Sequence, residues 1–186
     1  MGQLICAKFG GKNGDLPLPM REGISLPQVP RFPKSRQPQP SQKRMADGLS
    51  LAQQVLAAQP FSALLGAEIT QFGNGQAELR IAVTDKLRQQ QGFVHGGVLS
   101  YAADNALTFA GGSVLGPAVV TAEFKINYVR PALGELLIAK AMVVYAGKRQ
   151  AVCRCEVINI SEGHESLCAL AQGTISALSQ DHDGMA

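Results

Sequence analysis

Alternation of apolar and polar positions dominates the second half of the chain. In TAEFKINYV, residues 121–129, Ala122, Phe124, Ile126 and Tyr128 alternate with Thr121, Glu123, Lys125 and Asn127. That two-residue period predicts a strand with one buried face. LLIAKAMVVYAG, QAVCRCEVINI and ESLCALAQGTISAL continue the pattern, separated by Gly147-Lys148-Arg149 and by Ser161-Glu162-Gly163-His164. Earlier, AEIT and GQAELRIAV flank Phe72-Gly73-Asn74-Gly75; Asn-Gly between two alternating runs signals a hairpin. About six antiparallel strands are expected in all.

Two segments instead carry helical spacing. Between Leu49 and Leu65 the apolar residues Leu51, Val55 and Leu56, then Phe61, Leu64 and Leu65, recur at that period, with Pro60 at a break or fresh start. The second segment, GGVLSYAADNALTFAGG at residues 96–112, contains Ala102, Ala103, Ala106 and Ala110. These are good helix formers that let a sheet approach closely. A long small-residue helix wrapped by an antiparallel sheet is an α+β arrangement.

Composition sets the limits of that domain. A chain of 186 residues suits one core. Seven of the ten prolines precede residue 45, which predicts a disordered, Pro-rich, basic tail or upstream extension over 1–44. The single folded domain is then expected over 45–180, with a disordered C-terminus at 181–186. Residues 1–44 carry eight Lys and Arg against two acids, so the remainder carries nine against twelve. With aromatic residues at 5%, that acidic balance argues against nucleic-acid binding by the domain. Cys153 and Cys155 point to one strand face and, with Cys168, are expected as small core residues in a reducing compartment. The histidines His95, His164 and His182 show no ligand spacing with these thiols, so no metal is expected. No apolar run is long enough to span a bilayer and no secretory pattern opens the chain, so no membrane partner and a cytoplasmic location are expected. MGQLIC, with Gly2 and Cys6, is a loose match to a myristoylation site and reads more simply as a chance one.

The chemistry concentrates in QQGFVHGGVLSYAADNAL, residues 90–107. Gly96 and Gly97 are expected in the first helical turn, where amides lack intrahelical partners and the dipole is positive. With no side chain, Gly96 lets a carbonyl oxygen approach its N–H, the stabilisation that acyl transfer requires. Asp104 stands among Tyr101, Ala102, Ala103, Ala106 and Leu107. An ionised group beside apolar neighbours costs free energy unless it has partners or a task. It lies eight residues past Gly96, about 12 Å along a helix axis, so one helix cannot bring both groups to one carbon.

His95-Gly96-Gly97 with Asp104 nine residues after the histidine, an entry helix and hairpin before it, and T-x-x-x-x-x-N-Y-x-R-P after it at Thr121 to Pro131, resembles the hotdog-fold acyl-CoA thioesterases of the PaaI-like group. The resemblance covers about residues 50–178. It implies a hotdog fold, a sheet of about six strands around a long central helix. It also implies that paired subunits face the Gly96 amide of one with the Asp104 carboxylate of the other, the carboxylate acting as general base or nucleophile on an acyl-CoA or aryl-acyl-CoA thioester. It casts His95 as an orienting residue at the helix entrance and Thr121 as the hydroxyl that orients the lytic water. Where many relatives place an asparagine, six residues before the histidine, this chain has Gln89, and Gln91 is an equally plausible stand-in. Coenzyme A carries phosphates, for which Arg130, Lys148 and Arg149 are the candidate cations. Tyr101, Phe93 and the entry helix are expected to set the pocket width. No cofactor is expected beyond the coenzyme A of the substrate. Sheet edges and a shared site predict a homodimer at least, and a homotetramer as in many relatives. Two other readings compete: a hotdog module that binds acyl-CoA without hydrolysing it, and a hydratase, whose usual His with Asp or Glu pattern is not found.

Overall fold

A computed structural model describes the backbone of residues 42–178, with side chains from residue 47 onward. The tail reading, Cys6 and the myristoylation match lie outside the described residues. The element order is α1 (Gln42–Ala57), α2 (Pro60–Leu65), β1 (Ala67–Gly73), β2 (Gln76–Ala82), α3 (Gly96–Leu115), β3 (Val119–Tyr128), β4 (Leu136–Ala146), β5 (Gln150–Ser161) and β6 (His164–Ala177). α1 begins within the stretch assigned to the tail, because the proline run ends at Pro40 and no proline follows before Pro60. α3 runs three residues past the expected Gly112 and stops at Gly116, whose φ of 107° only glycine adopts readily.

All six strands join one antiparallel sheet in the order β1-β2-β4-β5-β6-β3. The β1–β2 hairpin turns at Asn74-Gly75, both with positive φ, as the Asn-Gly signal predicts. The sheet wraps α3, whose Val98, Leu99, Ala102, Ala103, Ala106, Leu107, Ala110 and Gly111 are buried. Small side chains along that face set how closely sheet and helix approach. At Gly111 the approach is closest: an added Cβ would lie 2.6 Å from Ile175 Cβ. Gly111→Ala is therefore expected to overpack the core and cost about 1–3 kcal/mol, a loss readable as a fall of several degrees in Tm by calorimetry. An unchanged Tm would show that the helix can move off the sheet without strain.

β3 departs from the expected alternation. Its register with β6 shifts between Thr121 and Glu123, and this bulge puts two residues where the ladder expects one. The faces therefore swap: Val119 and Thr121 before the bulge, and Phe124 and Ile126 after it, are the half-buried positions, while Ala122 and Tyr128, expected inside, are exposed. The entry helices differ too. Ala52 and Leu56 are buried, whereas Leu51, Val55, Phe61 and Leu64 of the expected apolar face are 47–76% exposed. Cys153, Cys155 and Cys168 are buried and unpaired as expected, and burial pushes the Cys155 thiol up to about 12, leaving it inert.

Candidate active site

His95 caps α3: its Nδ1 accepts the Gly97 N–H at 3.0 Å, and its carbonyl accepts from Val98. The side chain thus orients the helix entrance. It also occupies the Gly97 amide, one of the two first-turn amides expected to lack a partner within the helix. The Gly96 N–H is left with no hydrogen-bond partner among the described residues. A Cβ at Gly96 would meet the Tyr128 ring at an ordinary 3.6 Å, so packing within the chain does not require glycine there. Close approach by something outside the chain would. The Tyr128 hydroxyl, bonded to Ser100 Oγ and to the Gly96 carbonyl at 3.1 Å, ties the end of β3 to this first turn.

Gly96 opens onto a hollow of about 520 Å³ that also includes Gln89, Phe93, Gly97, Tyr128 and Arg130. Gln89 is half-buried there, whereas Gln91 is exposed and outside it. The reason is local backbone geometry: Gln89 N–H donates to Phe93 O and Gly92 N–H to Gln89 O, closing a tight loop that carries Gln91 at its outer tip. Arg88 fastens this loop, donating to Gly92 O at 2.8 Å and to the Leu133 and Gly134 carbonyls at 3.1 Å. One planar fork thus joins the two loops that form the walls of the hollow. The second loop is anchored again where Asn159 Oδ1 accepts the Gly134 N–H at 2.8 Å.

Asp104 projects from the stripe of α3 that the sheet leaves uncovered, with Ser100 and Thr108 one turn to either side, all half-buried. Thr121 Oγ donates to Asp104 Oδ1 at 2.7 Å, and Thr108 Oγ lies 2.8 Å from Thr121 Oγ and 2.8 Å from the Asp104 carbonyl. Each hydroxyl has one proton: with Thr121 donating to the carboxylate, Thr108 donates either to the Asp104 carbonyl or to Thr121. Oδ2 of Asp104 receives no bond from the described residues. The bulge in β3 produces this contact, because without it Thr121 would face away from the helix.

The remaining candidates separate. Lys148 and Arg149 sit in a different hollow at the β4–β5 turn, beside Tyr145 and Ser176. They are remote from Arg130 because the turn adjoins the start of β3 and Arg130 follows its end. Tyr101 donates to Ser62 Oγ at 2.6 Å and packs edge-on against Phe61, so it anchors α2 and lines neither hollow. Among the described residues no group of three or more His, Cys, Asp or Glu converges, and no helix is long and apolar enough to cross a membrane. Thr108, Arg88 and Tyr128 were not singled out from sequence. A threonine one turn after the aspartate was the only available signal, and it has no specificity alone.

Residues 91–165 match the model of the thioesterase superfamily. Acyl-coenzyme A thioesterase PaaI of Escherichia coli is 33% identical over 51% of this chain and 68% of its own length. The 1,4-dihydroxy-2-naphthoyl-CoA hydrolase of Listeria monocytogenes is 28% identical over 60% of this chain and 90% of its own. The crystal structure of a thioesterase family protein from Silicibacter pomeroyi superposes with a TM-score of 0.66 at 34% identity, covering 68% of this chain and 95% of that one.

Proposed function

The chain belongs to the thioesterase superfamily, hence to the enzymes that hydrolyse thioesters, and we propose that its substrate is an acyl-CoA or aryl-acyl-CoA, split to the free acid and coenzyme A. The observation that carries this reading is the pairing on one helix of an unpartnered Gly96 amide with an Asp104 carboxylate held by Thr121. About 12 Å of helix axis separates them, so the reacting carbon lies between Gly96 of one protomer and Asp104 of its partner.

β3 ends the sheet, with Val120 and Tyr128 exposed along it and Val129 just beyond. Such an edge is a template for a second strand. Two β3 edges paired antiparallel about a two-fold axis would set the end of one beside the start of the other. Arg130 would then lie near the Lys148-Arg149 turn of the partner, uniting the cations that one chain separates. That is the arrangement a polyphosphate ligand needs.

In the reaction, Asp104 Oδ2 takes a proton from water while Thr121 holds Oδ1. The oxygen attacks the thioester carbonyl, and the Gly96 N–H stabilises the oxyanion. The C–S bond then breaks and the thiolate takes the proton back from Asp104. If the carboxylate attacks instead, an acyl–Asp104 anhydride forms as the thiolate leaves, and in single turnover with isotope-labelled water its opening at Cγ leaves label in Asp104, which direct attack by water never does. The function is tested by thiol release from short-, medium-, long-chain and arylacetyl-CoA at micromolar enzyme. Release from at least one class is expected. Binding of every member without release would replace this reading with a carrier.

A further inference from the structure

A third cavity, of about 370 Å³, lies between α1 and α3 on the side of Asp104. Its α3 wall consists of Asn105, Thr108, Phe109, Gly112, Ser113 and Gly116, about one position per half-turn. From Thr108 to Gly116 that wall extends about 12 Å along the axis. The opposite wall is Leu51, Ala52 and Val55 of α1 with Gln59, Phe72 and Val119, and Pro117 stands at the far end. One end is polar: Thr108 is hydrogen-bonded to Thr121, which holds the Asp104 carboxylate.

We propose that this slot holds the acyl chain and selects unsubstituted, straight chains of medium length, octanoyl to decanoyl; the proposal rests on the thioesterase reading. Three observations converge on it. The slot begins at the hydroxyl that touches Thr121, so a carbonyl poised at Asp104 directs its chain inward. Its walls are mostly apolar, and Leu51 and Val55, which line it, are about half exposed; covering apolar surface with a chain gains about 25 cal/mol per Å². Polar groups deep in it are already engaged, since Ser113 Oγ accepts from Gly75 N–H and donates to the Ala110 carbonyl.

That last point separates chain types. A bicyclic aryl group bearing hydroxyls, such as the one in the name of the Listeria hydrolase, would set against Phe72, Phe109 and Val119 every hydroxyl that does not reach Gln59 or Asn105, a cost that an unsubstituted chain avoids. Phe72 and Phe109, from facing walls, stand edge to face with ring centroids 6.1 Å apart, so the two walls meet there. A palmitoyl chain is longer than the wall from Thr108 to Gly116 and would run into solvent past the exposed Pro117, where its added methylenes gain no burial.

Gly112 is the point of control. A Cβ there would meet only the far end of Val119, Cγ2 at 3.3 Å, so a larger side chain projects into the slot at modest cost to the fold. Gly112→Leu and, from the opposite wall, Val55→Trp are the test variants. Val55 is 47% exposed, so its replacement needs no room in the core. Both are checked by thermal melting. For the wild type, kcat/KM is expected to peak at octanoyl- or decanoyl-CoA, and each folded variant should lower the decanoyl-to-acetyl ratio at least tenfold. A wild type that prefers dihydroxynaphthoyl-CoA, or a ratio unmoved in both variants, overturns the proposal while leaving hydrolysis intact. Calorimetry with decanoate reads the slot independently of turnover. Binding by wild type that Gly112→Leu abolishes supports the slot even if no thioester is cleaved, and equal binding, or none to wild type, overturns it.

Discussion

Asp104→Asn is expected to lower thiol release by about 10²–10⁴-fold, the usual contribution of a positioned general base, with Tm nearly unchanged. The substitution is isosteric and retains Oδ1, so the Thr121 hydrogen bond at 2.7 Å survives. It replaces the free oxygen, the one available to water, by an amide that cannot accept a proton. KM should move little, because a group acting only in the chemical step changes kcat and kcat/KM together. Thr121→Ala should cost less, since it removes the orientation of the carboxylate and leaves the base. A folded Asp104→Asn enzyme with full activity would remove the carboxylate from the mechanism.

The second large effect tests the shared site. Gly96→Pro deletes the one unpartnered amide of the first turn, and loss of an oxyanion donor commonly costs about 10²–10³ in kcat. Proline suits this position: it is the first residue of α3, and His95 before it already has φ −61° and ψ 134°, the extended conformation that a residue preceding proline prefers. The helix should therefore form, and circular dichroism and Tm check that it does. If Gly96 and Asp104 of different protomers make one site, mixing the two inactive variants restores it. Half the dimers are then mixed and each has one intact site of two, so activity should return to about a quarter of wild type. No recovery after subunit exchange, with mixed dimers demonstrated by mass spectrometry, would place both groups in one chain and overturn the two-chain geometry.

The sheet itself follows from the period of the sequence. The alternation from Thr121 onward, the Asn-Gly turn and the alanines of residues 102–110 are local properties, and local backbone sterics and side-chain spacing read them directly. The same holds for the spacing of His95, Gly96 and Asp104, because a helix converts residue number into distance. His95 at the helix entrance and the buried cysteines of β5 belong here as well.

Tertiary structure decided what those residues touch. A one-residue bulge has no signature in an alternating run, yet it turns Thr121 toward Asp104 and Ala122 away. Three carbonyls converging on Arg88 come from loops about forty residues apart in the chain, so no window along the sequence contains them. Gln89 and Gln91 are equivalent by composition, and only the hydrogen bonds that close their loop place one in the hollow and the other in solvent. Strand order likewise puts β3, from mid-sequence, at one edge and separates Arg130 from Lys148 and Arg149. Periodicity specifies which face of an element is apolar; which elements meet, and which polar atoms they leave unpaired, depends on packing the whole core.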